Sequence, residues 1–129
     1  MPNRERMAAK TKPQDWAYIA AAYQALNNNG LGYERMLALV QHIISSGASD
    51  RLFAYTSLDT LKVSNYEPLE ASEILRIHFD RQKQLFCFDY FSSDSGGKLY
   101  DKKQPEFQRQ YPAEAGIEKF DQFLRWIRW

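Results

Sequence analysis

A two-residue alternation of apolar and polar side chains between Glu73 and Phe91 constrains the fold more than any other stretch of this sequence. The alternation runs through two segments separated by the polar residues 81–84, and it predicts a β-hairpin with a four-residue loop. If Asp80 pairs with Leu85, one face of the hairpin is apolar. That face carries the pairs Phe79 with Phe86, Ile77 with Phe88, and Leu75 with Tyr90. We expect this face to be buried, because a slip by one residue would turn all of these side chains to water.

The opposite face of the hairpin is mixed in polarity. The same register places Arg76 beside Asp89, and His78 beside Cys87, the only cysteine of the chain. An imidazole next to a thiol is what a thiolate nucleophile needs, so His78 and Cys87 are the candidate catalytic pair. An oxyanion pocket and an orienting group for the histidine are not evident in the sequence. We therefore keep the alternative that Cys87 is a small apolar filler.

The length and composition of the chain are those of one globular domain. The chain has 129 residues, and domains usually contain about 100 to 200. Eight tyrosines, eight phenylalanines and three tryptophans are available for a core. A single cysteine excludes an internal disulfide, and no apolar run approaches the roughly 18 residues of a membrane helix. We expect a cytoplasmic protein with no membrane partner.

Charge is distributed unevenly along the chain. Residues 1–12 hold four basic side chains and one acidic side chain, a net charge of +3, while the remaining residues hold 13 basic and 15 acidic ones, a net charge of −2. We interpret residues 1–12 as a flexible basic tail and residues 13–129 as a single α+β domain. A basic tail is able to contact nucleic acid. The net charge of the whole chain is nearly zero, however, which argues against nucleic acid as the main partner.

Helical periodicity precedes the hairpin and follows it. Apolar residues at helical spacing predict one helix after Pro13, a second from about Tyr33, and a third that begins near Pro112. Residues 51–63 predict two further short strands around a polar break. The prediction is a two-layer α+β fold with two helices, an antiparallel meander of about four strands, a long loop and a C-terminal helix.

The segment between Phe91 and Pro112 is longer than an ordinary connection, so we predict that it is a loop. It interleaves basic and aromatic side chains, a composition that is able to bind phosphates, bases or a protein. The candidate binding residues in it are Lys98, Tyr100, Lys102, Lys103, Phe107 and Arg109. Residues 95–98 resemble a phosphate cradle only faintly, because the spacing of a P-loop is absent.

The C-terminal ten residues, FDQFLRWIRW, carry more aromatic surface than one buried helix face uses. Trp126 and Trp129 are therefore candidate binding residues as well, since tryptophan and arginine are typical of binding hot spots. The alternative is that the first two helices cover these rings. Two histidines and one cysteine lack the paired spacing of zinc ligands, so we predict no metal and no other cofactor.

Three classes of function remain open. The first is a small cytoplasmic protein-binding module that is not an enzyme, such as an inhibitor or a toxin-neutralising protein; a homodimer is an open alternative. The second is a small-molecule binder or an enzyme, with the Cys/His pair or with an aromatic pocket lined by Tyr55, Phe79, Phe88 or Tyr90. The third binds nucleic acid through the tail and the loop. We prefer the first class, because no catalytic groups converge in the sequence while surface aromatics and a long loop are present.

Overall fold

The computed structural model describes residues 12–66, 73–92 and 105–129, which form an α+β fold. Helix α1 spans Trp16–Asn28 and helix α2 spans Glu34–Ser45. Five antiparallel strands follow in meander order: β1 is Phe53–Ser57, β2 is Thr60–Ser64, β3 is Glu73–Asp80, β4 is Leu85–Ser92 and β5 is Phe107–Pro112. Short 3-10 turns, Ala48–Asp50 and Ala113–Ala115, precede β1 and the last helix, and that helix, α3, spans Gly116–Ile127. No helix within the described ranges is long and apolar enough to cross a bilayer.

The predicted hairpin forms in the predicted register. Strands β3 and β4 pair from Glu73 with Ser92 to Asp80 with Leu85. The predicted apolar face is buried, and its members are Leu75, Ile77, Phe79, Phe86, Phe88 and Tyr90. These side chains share one core cluster with residues from all three helices, so the helices lie on the same face of the sheet. Each large apolar side chain that is fully buried there stabilises the fold by about 1.5–3 kcal/mol.

The outer face of the sheet, opposite the core, carries no helix among the described residues. A small separate apolar cluster lies on this face, where Ile74 pairs with Phe91 across β3 and β4. The guanidinium carbon of Arg76 lies 4.6 Å from the centroid of the Phe91 ring. The outer face therefore combines a small apolar cluster with half-exposed polar side chains.

The prediction of about four strands does not include β5, which lies in the segment predicted to be a long loop. Strand β5 reads FQRQYP, and its two aromatic residues, Phe107 and Tyr111, are only half-buried because the strand lies at the edge of the sheet. An edge strand that faces water gives a weak alternation signal. Helix α3 begins at Gly116, after the 3-10 turn, rather than at Pro112. The α+β architecture is otherwise confirmed.

Candidate functional site

Five aromatic side chains meet where α3 lies against β4 and β5, and we call this group the aromatic patch. Its members are Tyr90, Phe107, Phe123, Trp126 and Trp129, and the centroids of contacting rings lie 5.4–6.4 Å apart. Such separations, about 4.5–7 Å, are favourable for tilted and edge-to-face ring pairs. Phe123 and Trp126 are adjacent on α3 because residues three apart are neighbours on a helix surface.

The C-terminal residues fold back onto the aromatic patch. Arg128 has a left-handed backbone with φ of 65°, and the amides of Arg128 and Trp129 donate to the Leu124 carbonyl at 2.9 and 3.1 Å. This turn ends α3 and places the Trp129 ring against Tyr90. Trp129 Nε1 and Tyr90 Oη both donate to Glu73 Oε1, at 3.4 and 2.6 Å. The polar atoms of both rings are therefore hydrogen-bonded while their faces remain in the patch.

The aromatic patch has a buried base and an exposed top. Tyr90 and Phe123 are buried, Phe107 and Trp129 are half-buried, and Trp126 is 62% exposed. The neighbouring rings hold the Trp126 indole in place, so its burial on binding would cost little side-chain entropy. A large, pre-ordered aromatic side chain at the surface is typical of binding hot spots.

Two cations stack on aromatic rings next to the patch. The guanidinium carbon of Arg109 lies 4.7 Å from the Phe107 centroid, and Lys119 Nζ lies 5.5 Å from the Tyr111 centroid. Both distances are within the range of a cation–π interaction, about 6 Å. A pocket of about 160 Å³ lies between β5 and α3, lined by Phe107, Tyr111, Lys119, Gln122, Phe123 and Trp126. The site is thus aromatic at its centre and positively charged at its rim.

The structure brings together half of the predicted binding residues. Phe107, Arg109, Trp126 and Trp129 lie in the aromatic patch or stack on it. The other four, Lys98, Tyr100, Lys102 and Lys103, lie outside the described residues, as do residues 95–98 and residues 1–11 of the basic tail. The alternative in which the first two helices cover the tryptophans is wrong for Trp126, because its ring packs beside β5 and remains exposed.

The predicted pair His78 and Cys87 lies on the outer face in the predicted register. His78 is exposed and its Nδ1 lies 4.0 Å from Asp59 Oδ1, whereas the Cys87 sulfur lies 3.8 Å from Gln110 Nε2. Burial raises the pKa of the Cys87 thiol above its ordinary value; the hydrogen bond from Gln110 lowers the pKa by less, and the Asp89 carboxylate raises it again. A thiol that stays protonated at neutral pH is a poor nucleophile, so this geometry does not favour thiolate catalysis.

We expect Cys87 to react slowly with a thiol-alkylating reagent at neutral pH. The reagent attacks the thiolate, and the raised pKa lowers the thiolate population of the folded protein. Mass spectrometry over a neutral to alkaline pH series should show the reaction rate reaching half of its maximum at a higher pH in the folded protein than in the unfolded chain, where an ordinary thiol is half ionised at about pH 8.5. The same chain unfolded in denaturant is the control. A folded protein that reacts as fast as the unfolded chain at neutral pH would contradict the expectation.

A hydrogen-bonded cluster at the β1–β2 turn was not anticipated from the sequence. Tyr23 Oη donates to the Asp59 carbonyl at 2.9 Å, and Tyr33 Oη donates to the Asp59 carboxylate. The Arg81 guanidinium carbon lies 4.9 Å from the centroid of the Tyr33 ring. The turn residue Leu58 is 98% exposed and has φ of 58°. The two tyrosines lie 36 and 26 residues from Asp59 in the chain, so no local pattern links them.

The predicted aromatic pocket does not form as a single site. Tyr55 faces the outer side of the sheet, where Lys62 Nζ lies 5.3 Å from its ring centroid, whereas Phe79, Phe88 and Tyr90 belong to the core. Residues on opposite faces of a sheet do not line one pocket. A different pocket, of about 530 Å³, opens beside the turn cluster and is lined by Tyr33, Asp59, His78, Phe79, Asp80, Arg81 and Gln82.

Similarity to other proteins gives no guide to the site. Comparisons with protein-family models, with curated proteins and with solved structures found no match for this chain. Within the described ranges, no three His, Cys, Asp or Glu side chains are grouped so that they could hold a metal ion. The functional assignment therefore depends on the geometry and chemistry of the aromatic patch.

Proposed function

We propose that this protein acts by binding a protein partner through the aromatic patch, as an inhibitor or a toxin-neutralising protein does. The observation that carries the proposal is the Trp126 indole, which is exposed although its ring contacts Phe107 and Phe123. Aromatic residues and arginine are enriched at the centres of protein interfaces, and Arg109 stacks beside this ring cluster. The single cysteine fits the cytoplasmic location that we propose with this function.

The other two classes of function have less support. An enzyme that uses Cys87 needs a reactive thiolate. Burial raises the pKa of the thiol and so favours the protonated, unreactive form. A small-molecule pocket made of the predicted aromatic residues would need Tyr55 on the core side of the sheet, where it does not lie. The residues that suggested nucleic-acid binding fall mostly outside the described part of the chain. Partner binding through the patch is therefore the function that the described residues favour.

Trp126→Ala should weaken partner binding by about tenfold or more, since truncation of a central interface tryptophan typically costs over 1 kcal/mol. The free energy of unfolding should fall by about 1 kcal/mol, because the variant loses ring contacts with Phe107 and Phe123 although the indole is mostly exposed. The measurement is capture of partners on the immobilised full-length protein from lysate of the source organism, quantified by mass spectrometry. A protein retained by the wild type and depleted about tenfold by the variant is the expected result.

Tyr18→Ala is the matched control for Trp126→Ala. Tyr18 is also an exposed aromatic residue on a helix, with 59% of its side chain accessible, but it belongs to α1 rather than to the patch. The control variant should retain the same partner as the wild type. Equal retention by the wild type and Trp126→Ala would show that the patch is not the contact surface.

A further inference from the structure

The backbone amides of Gln108 and Gln110 point away from β4, toward the edge of the sheet where no other described strand pairs. Strand β5 pairs with β4 and is the last strand in the sheet order. Just beyond the strand, the Ala113 amide donates to the Gln84 carbonyl at 3.1 Å in the same register. Because hydrogen-bonded positions alternate along an antiparallel ladder, Gln108 and Gln110 fall at the positions that face outward. Pro112 is also at an outward-facing position, so the N–H that proline lacks would not have taken part in the hydrogen bonds between β4 and β5.

The pocket beside this edge has the size of one side chain. Its volume is about 160 Å³, and a protein cavity of about 150 Å³ is large enough for benzene. Phe107 and Tyr111 line the pocket from β5, and Trp126 lines it from α3. A strand added next to β5 would turn every second side chain toward α3, so one of them would reach this pocket.

The pocket and the middle of β5 each carry one cation. Lys119 lines the pocket together with aromatic and amide side chains and without a carboxylate, and Arg109 lies on β5 between the two aromatic residues that line it. A carboxylate opposite Arg109 on an added strand would form a favourable cross-strand pair. A second copy of this chain, paired antiparallel in the register centred on Arg109, would place Arg109 against Arg109, which is repulsive. Charge therefore favours an acidic segment over a second copy in that register. In the register centred on Gln110, Arg109 would lie opposite Tyr111 instead, and sedimentation tests for such a dimer.

From this geometry we propose that the partner adds an extended, acidic segment to the edge of β5 that no described strand covers, and inserts one apolar side chain into the pocket next to Trp126. The proposal rests on the function proposed above and specifies how the partner is recognised. Main-chain hydrogen bonds to an open sheet edge supply affinity in this mode of recognition, and a pocket for alternate side chains supplies specificity.

The test uses peptides of about ten residues, selected from a random phage-displayed library on the full-length protein. We expect them to carry an acidic residue two positions from a phenylalanine, leucine or tryptophan, because side chains two apart share the face toward Arg109 and the pocket. Binding of a selected synthetic peptide is measured by fluorescence anisotropy. Gln110→Pro, which removes an outward amide, should weaken binding about tenfold, whereas Gln110→Ala, which keeps it, should change binding by less than about twofold.

Methylation of peptide amides tests the same ladder without any change to the protein. Methyl groups on one set of alternate amides should abolish binding, while methyl groups on the other set should not, because only every second amide of an added strand faces β5. Equal binding after both methylation patterns, or a library that yields no peptide of this pattern, overturns strand addition. The acidic segment is the wrong occupant if sedimentation shows a dimer that Gln110→Pro dissociates, because the strand added to β5 then belongs to a second copy. If Trp126→Ala weakens binding but Gln110→Pro does not, strand addition is wrong and the proposed function stands.

Discussion

Phe86→Ala should lower the free energy of unfolding by about 3–5 kcal/mol, the usual cost of truncating a buried phenylalanine. The Phe86 ring is 1% exposed, and its centroid lies 4.9 Å from that of Phe79 and 6.3 Å from that of Phe88. Gly116→Ala should destabilise the protein by about 1–3 kcal/mol, the usual cost of overpacking. A Cβ atom at Gly116 would overlap Phe86 Cε2, so the ring occupies the place of a side chain at the start of α3.

The costs of these two substitutions should not add. In the Phe86→Ala background the methyl group of Gly116→Ala enters space that the ring has left, and alanine has the higher helix propensity, by about 1 kcal/mol in a helix interior. Urea unfolding of the wild type, both single variants and the double variant should therefore give a coupling energy of about 2–3 kcal/mol. If Gly116→Ala destabilises both backgrounds equally, the Phe86 ring does not clash with the added methyl group. The close contact described between β4 and the start of α3 would then be wrong.

The hairpin could be predicted because its information is local. The strict alternation of β3 and β4, and the short polar segment between Asp80 and Leu85, fix one register with a buried face. Strand β5 could not be predicted in the same way, because its residues are held by the neighbouring strand and by α3 rather than by an apolar pattern of their own. The position of β5 therefore depends on contacts between residues that are distant in the sequence.

The candidate site was predictable in its composition and not in its assembly. Tryptophan and arginine near the C-terminus, and Phe107 with Arg109 in the presumed loop, indicated binding residues. Whether these residues come into contact depends on the position of α3. The close contact between Gly116 and the Phe86 ring fixes the position of the first turn of this helix. The cluster around Asp59 could not be predicted for a related reason. Its members are distant in sequence, and no motif or residue spacing indicates that they meet.

The stability of the protein should fall as the pH rises above about 10, where tyrosines of the unfolded chain ionise. Burial raises the pKa of Tyr23 in the folded protein, and the Asp59 carboxylate raises it further; burial and the hydrogen bond to Asp59 raise the pKa of Tyr33. The folded state therefore keeps phenolic protons that the unfolded state has lost. Because the unfolded state then binds fewer protons, the free energy of unfolding decreases by up to about 1.4 kcal/mol per pH unit for each such tyrosine. This stabilisation is complete below the pKa of the unfolded chain and is lost as the pH rises through the pKa of the folded state.

Tyr23→Phe isolates the contribution of one phenol to this pH dependence. At neutral pH the variant should lose about 1 kcal/mol, because the hydroxyl no longer donates to the Asp59 carbonyl. Above about pH 10 its urea-unfolding free energy should fall less steeply than that of the wild type, by about 1.4 kcal/mol per pH unit. Tyr18→Phe, at an exposed position of the same helix, controls for the removal of a hydroxyl group. If the slope of Tyr23→Phe equals that of the wild type, the Tyr23 phenol does not hold its proton more tightly in the folded state, and the Asp59 cluster does not link α1 to the β1–β2 turn as described.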